Sequence, residues 1–237
     1  FVTAADDRIS SLNTRMGFKL QQLNSLAVFF ESSQYVSPEE FSHFVSHLST
    51  DNETGLAYGW IPHVRHDQRK VFEASVSATG KTGLEIRDKQ NETMVRAADR
   101  SDYFPVQYLQ PAQRGGMAVG YDLASNADMQ AALHAARISF SPRSSIVGGI
   151  KGRSDEAGIV MFVPVFHGLM TQAKPHQKLQ GFVAGVFSPY SVLAKSISDF
   201  EPAGLDLDIF DISTESAPKH LAAYLSRTRN AQNISVR

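Results

Sequence analysis

Apolar residues at Ile9, Leu12, Met16, Leu20, Leu23, Leu26 and the Phe29–Phe30 pair recur at spacings of three and four. That is the period of an amphipathic helix. It predicts one from about Ala4 to Phe30, roughly 40 Å long, weakened only at Gly17. Such a stripe either packs on the helix's own domain or forms a stalk that pairs with a second copy along the same seam. Ser37-Pro38-Glu39-Glu40 reads as a second helix start, with a capping Ser, Pro at the first helical position and acids in the first turn. Phe41, Phe44, Val45 and Leu48 carry that helix to about Ser49.

Beyond it the period shortens. Gly55 to Ile61 is a short apolar strand closed by Pro62, and His66 to Ser75 a helix. Leu84–Ile86 and Met94–Arg96 read as short strands, and Tyr103 to Tyr108 as one aromatic strand. Met117 to Tyr121 is a further short strand, and Ser125 or Asn126 caps a helix through Ala132, Leu133, Ala136 and Ile138. Ile146–Val147 forms a possible strand, and the glycines from Gly148 to Gly158 suit a hairpin. Two long apolar strands follow at Gly158–Phe166 and Gly181–Phe187, then a helix from Tyr190 to Phe200 and an alternating strand at Leu205–Phe210. Leu221 to Arg237 suffices for one more helix and a strand. About five strands with helices inserted between them, and no clean βαβ alternation, give an α+β class.

Composition narrows the function. With 23 basic against 24 acidic residues, the chain lacks the footprint that nucleic acid demands. There is no Cys, so disulfides, zinc–thiolate sites and thiol nucleophiles are excluded. No apolar run reaches membrane-spanning length, which suits a soluble piece whose targeting or membrane segments lie elsewhere. No nucleophile elbow, Walker loop, zinc-protease motif or dinucleotide fingerprint occurs, and no cofactor is expected. Ser216-Ala217-Pro218-Lys219 matches SxxK, but with a Pro inside what should be a helical turn. His63, His66, His167 and His176 show no acidic partner at a telling spacing, so no metal site is expected. Asp99 and Asp102 read as caps or solvated charges. Asp122, in Gly120-Tyr121-Asp122 between a strand end and a helix start, has two readings: a helix cap, or a carboxylate that accepts hydrogen bonds from a ligand's N–H groups.

Several motifs, in order, resemble the CHASE domain, the extracytoplasmic sensor of plant cytokinin receptors and of many bacterial histidine kinases and nucleotide cyclases. They are Trp60-Ile61-Pro62, Arg69-Lys70-Val71-Phe72-Glu73, Asp102-Tyr103-Phe104-Pro105-Val106, Gly120-Tyr121-Asp122, Ala132-Leu133 with Ala136-Arg137, Val163-Pro164-Val165-Phe166 and Gly181-Phe182-Val183. The resemblance spans roughly Phe29 to Phe200. It implies a stalk helix (1–35), a membrane-distal PAS-like ligand-binding domain (36–188) and a short membrane-proximal PAS-like domain (189–237), both with antiparallel sheets. It also implies a homodimer through the stalk and flanking transmembrane helices, with the domain in the periplasm or outside the cell. Asp122 matches the family's ligand-binding Asp, which in cytokinin receptors holds an adenine-type ligand. Ser144 or Ser145, Phe162 and Gly185 fall at further pocket positions, with Phe104, Tyr108 and Tyr121 as walls. The chain departs from the plant pattern at Ser139-Phe140, where a Thr-Gly pair is usual, and at Phe162, where a Thr is usual; both departures imply a bulkier, less polar pocket.

The expectation is therefore a non-enzymatic receptor ectodomain that binds a small molecule, purine-like or otherwise organic. It would control a histidine kinase or a cyclic-di-GMP enzyme. Two other classes stay open at this point: a protein-interaction module whose pocket is filled by its own side chains, and a small-molecule hydrolase, for which the chain offers no nucleophile–base pair.

Overall fold

A computed structural model describes residues 2–48, 57–77, 84–90, 93–111, 117–147, 158–167, 178–198, 200, 204–212 and 218–225. The proposed hairpin at 148–157, most of the 170–180 loop, the SxxK segment up to Ala217 and the chain beyond Leu225 lie outside these residues. The class is α+β, with a long N-terminal helix followed by antiparallel sheets.

The helix α1 (Val2–Glu31) runs 30 residues, about 45 Å. In α2 (Pro38–Leu48) the predicted cap is present: Glu40 N–H donates to Ser37 Oγ (3.1 Å), and Ser37 N–H donates to the Glu40 carboxylate (2.8 Å). Strand β1 (Ala57–Pro62) keeps Pro62 as its last residue. Then come β2 (Val64–Arg65), a 3-10 turn at His66–Gln68, α3 (Arg69–Ser77), β3 (Arg87–Gln90) and β4 (Thr93–Arg96). The strand expected at Leu84–Ile86 thus lies just after those residues, where Arg87–Gln90 can pair with β4 in a tight hairpin.

The expected single aromatic strand is broken. It forms β5 (Asp102–Tyr103) and β6 (Tyr108–Gln110), which pair with different partners. Pro105 sits between them, with no N–H to offer a ladder. Met117–Tyr121 forms no strand. It is an irregular segment whose end makes single bridges, Arg87 to Tyr121 and Pro105 to Asp122. Helix α4 (Ala127–Ser139) is capped by Asn126, whose side chain accepts from Met129 N–H (3.0 Å). Strands β7 (Arg143–Val147), β8 (Gly158–Phe166) and β9 (Leu179–Phe187) follow, then α5 (Pro189–Ser198), β10 (Leu207–Asp211) and β11 (Lys219–Tyr224). Of the segment from Leu221 to Arg237, read as one more helix and a strand, the described residues Leu221–Tyr224 lie in a strand.

The main sheet is antiparallel, in the order β6-β1-β9-β8-β7. Both its faces are buried. On one face Leu23, Leu26, Ala27 and Phe30 of α1, with Phe41 and Val45 of α2, pack on Tyr58, Trp60, Tyr108, Val163, Val165 and Val183. Phe30 stacks on Trp60 with ring centres 3.9 Å apart. On the other face Met129, Leu133 and Ala136 of α4 pack on Val160, Phe162, Phe182 and Ala184. The stripe read from the sequence is thus used by the protein's own sheet over its C-terminal half, while Ile9 remains exposed. Toward its N-terminus α1 meets a smaller unit in which Leu193 and Ile197 of α5 pack on Ala222 and against Leu207, Ile209 and Tyr224 of the β10–β11 ribbon. The Arg8 guanidinium there lies 5.1 Å from the centre of the Phe200 ring.

Leu26 is fully buried and Phe18, on the same helix, about half exposed. Leu26→Ala is expected to cost about 2–5 kcal/mol of stability and Phe18→Ala less than about 0.5 kcal/mol. Urea midpoints of the two variants check this; equal losses would mean that α1 is not seated on the sheet as described.

Candidate functional site

The α4 face of the sheet is apolar and aromatic. Its cross-strand rows run Arg143–Phe162–Ala184–Gly59–Leu109 and Ser145–Val160–Val186–Ala57. Phe182 meets Phe162 edge-on at 6.4 Å and Phe104 edge-on at 5.6 Å; the His63 ring then stacks on Phe104 at 5.2 Å. Phe140, at the end of α4, has φ 52°, a left-handed conformation usually taken by Gly. It packs on Phe166 with ring centres 4.9 Å apart, which ties the strained residue to the core. At Ser139-Phe140 the left-handed turn is thus made by Phe140 itself.

Among the described residues, a polar atom on this face has no partner. Ser145 is buried, and its Oγ makes no hydrogen bond. A buried hydroxyl left unpaired costs about 1–3 kcal/mol, so its place on an aromatic wall stands out.

Asp122 sits at the rim, fully buried. One carboxylate oxygen accepts from Phe104 N–H (2.8 Å) and Ala124 N–H (3.1 Å), and the other accepts from Arg100 Nη1 (3.1 Å). The second nitrogen of Arg100 binds Asp88, so one guanidinium joins two carboxylates. Asp88 also accepts from Ala98 N–H (3.2 Å), and its other oxygen is buried without a partner. Burial pushes the Asp122 carboxyl above the usual range; the bonds from Phe104 and Ala124 and the charge of Arg100 pull the other way, and Asp88 adds to the rise. A folded-state value above the unfolded one means that this group favours folding most in acid, a contribution that fades as pH climbs through the raised value.

Backbone bonds hold the segment in place: Arg87 N–H to Gly120 O (2.9 Å), Asp122 N–H to Arg87 O (2.8 Å) and Val106 N–H to Tyr121 O (2.9 Å). Gly120 has φ 90°, and a Cβ there would lie 2.8 Å from Glu85 O, so only glycine fits this turn. The neighbouring 100–104 segment hangs on the Tyr103 hydroxyl, which accepts from Arg100 N–H (3.1 Å) and from the buried Arg69 Nη1 (3.2 Å). Arg69 also binds Glu73 (3.0 Å) and Ala97 O (3.0 Å).

The eight residues singled out from the sequence divide between the two faces. Phe104, Tyr121, Phe162 and Ser145 belong to the α4 face, with Asp122 at its rim. Tyr108 lies on the other face, against Phe41, and its hydroxyl donates to Val36 O (2.9 Å). Gly185 also faces α1: a Cβ there would lie 2.9 Å from Leu23 Cδ2. Ser144 shares the row of Met161, Gly185 and Tyr58, and is exposed.

Against this geometry, the family model described as the CHASE domain matches residues 34–221. The chain belongs to the CHASE domain family. This CHASE domain is accordingly an extracytoplasmic sensor domain of a membrane signalling receptor, and it is not a catalytic domain. No curated protein matches the chain. Among the described residues, no helix is long and apolar enough to cross a membrane.

Two groups escaped the sequence reading. Arg100 and Asp88 reach Asp122 from other segments, with no local signal. His63 does have an acidic partner: its Nε2 lies 2.5 Å from Asp102 Oδ1, across 39 positions. Asp102 is therefore more than a cap or a solvated charge. Burial pushes its carboxyl up, but hydrogen bonds from His63 and Ser101 and the charges of His63 and Arg137 outweigh that and hold it below the usual range.

Asp122→Ala is expected to cost about 3–5 kcal/mol, because it strands Arg100 and two backbone N–H groups; a loss below about 1 kcal/mol in urea would contradict the network. For Asp102 the sign is opposite to that of Asp122: its stabilisation is present above the unfolded value of about 3.9 and lost as pH falls through the lower folded value. Asp102→Asn should therefore be less stable than wild type at neutral pH, with the gap closing in acid. A gap independent of pH would rule out the His63 pairing as its cause.

Proposed function

We propose that this CHASE domain senses a small organic molecule on the α4 face of its sheet. The observation that carries the reading is the buried, unpartnered Ser145 hydroxyl on an aromatic wall, where a ligand supplies the missing partner. Phe104, Tyr121 and Phe162 form the wall. Asp122 offers its carboxylate at the rim to a ligand's N–H groups, as a purine-like ligand presents them. Tyr108, Gly185 and Ser144 serve from the opposite side of the sheet.

The chain divides on this reading into the stalk helix (1–35), a membrane-distal PAS-like unit (36–188) and a membrane-proximal PAS-like unit (189–237). Two copies associate through the N-terminal half of α1, where Ile9, Leu12 and Met16 recur at helical spacing. Transmembrane helices flank the domain, and a ligand preferring one of two stalk arrangements biases a histidine kinase or a cyclic-di-GMP enzyme across the membrane.

The internal engagement of Asp122 by Arg100 and two N–H groups favours a second reading, an interaction module whose apparent pocket is core. A thermal-shift screen of purines, amino acids and organic acids separates the two. Ser145→Ala should melt at or slightly above the wild-type temperature without ligand, since it removes an unsatisfied hydroxyl. A molecule that raises the melting temperature of wild type but not of Ser145→Ala supports sensing at this face. An equal rise in both would move the site elsewhere, and no rise with any class would favour the interaction module.

A further inference from the structure

We infer that the exposed face of α2 carries a two-histidine chelate for a divalent transition-metal ion of the zinc or copper kind. His43 and His47 lie one turn apart, both exposed, on the side of α2 away from its buried Phe41 and Val45. Two histidines at this helical spacing present their imidazoles to one ion.

The rings lie close enough to share an ion. Their centres are 4.5 Å apart, with planes inclined at 58°. Two imidazoles bound side by side to one ion, through nitrogens about 2.0–2.1 Å from it, have centres about 4.5–5 Å apart. The contacts of His47 favour one tautomer: Ser46 Oγ, 3.3 Å from its Nδ1, donates to His43 O and leaves Nδ1 to donate there too. His47 Nδ1 lies 2.8 Å from His43 O, and a carbonyl only accepts, so Nδ1 holds the proton and Nε2 keeps the lone pair. A backbone carbonyl taking the far N–H is the usual support of a metal-binding histidine. Three other imidazoles are committed elsewhere: His63 to Asp102, His66 to the Tyr103 hydroxyl and His220 to Asp208.

Among the described residues, no three or more His, Cys, Asp or Glu side chains converge. Among the described residues the chelate therefore has two protein donors, with water completing the shell, and it exchanges its ion readily, unlike a structural zinc site. An ion bridging this turn stiffens the end of α2, where Leu48 O accepts from Gln22 Nε2 of α1 (2.6 Å) and Phe44 stacks on Phe29 (4.5 Å). Occupancy thus bears on the contact between α2 and α1.

The test is zinc chloride titrated into the tag-free 237-residue chain, read by calorimetry and by histidine ring nitrogen resonances. One zinc per chain is expected, with the His47 Nε2 resonance moving while Nδ1 stays protonated. His43→Ala and His47→Ala should each weaken binding by about a hundredfold, the scale of a lost chelate, and His220→Ala should leave it unchanged. Both sites are exposed, and circular dichroism confirms that the variants fold. Zinc binding that is absent in wild type, or that survives either α2 substitution unchanged, would overturn the proposal.

Discussion

A single layer of sheet with both faces buried is the constraint from which the rest of this domain follows. Each face needs its own cover, and the two covers are chemically unlike. The β1–β9–β8 face against α1 and α2 is closed by Leu23, Leu26, Phe30, Phe41 and Trp60. The opposite face is covered by α4 and by irregular chain, and it keeps the unpartnered Ser145 hydroxyl. An orphan of this kind costs about 1–3 kcal/mol, a sizeable share of a domain's net stability.

The irregular cover is built differently from the sheet. Among the described residues from Arg100 to Asp122 few ladder bonds are available, because Pro105 interrupts the strand and Gly120 turns the chain sharply. Side chains take over. The Tyr103 hydroxyl, Arg69 and the Asp88–Arg100–Asp122 bridge hold three segments that share no regular pairing. Buried ion networks of this sort contribute specificity of arrangement more readily than net stability.

Much of the fold was legible in the chain. The α1 stripe, the Ser37 capping box, the Asn126 cap and the β8 and β9 runs all stand where local rules put them. The site was legible only in part. Strands buried on both sides are apolar at nearly every position, so nothing in their pattern says which residue faces which cover. Gly185 and Tyr108 are the cost of that ambiguity: they fall beside members of the α4 face, but Gly185 lies against α1 and Tyr108 against Phe41 of α2. Partners such as Arg100 for Asp122 or Asp102 for His63 are set by tertiary folding across 22 and 39 positions. The broken aromatic run is different in kind, since Pro105 was visible and its effect on a ladder follows from its missing N–H.

The close seat of α1 on the sheet has a practical consequence for how this family is cut and shuffled. The family match begins at residue 34, yet Leu23 rests almost on the Gly185 backbone and Leu26 is sealed between helix and strands. The physical folding unit therefore starts some ten residues or more upstream of the recognisable one. A recombinant fragment or chimera that begins at the family boundary would bare the part of this face that α1 covers and invite aggregation. Swapping sensors between receptors calls for a junction placed ahead of Leu20, so that each sheet keeps the helix shaped to it.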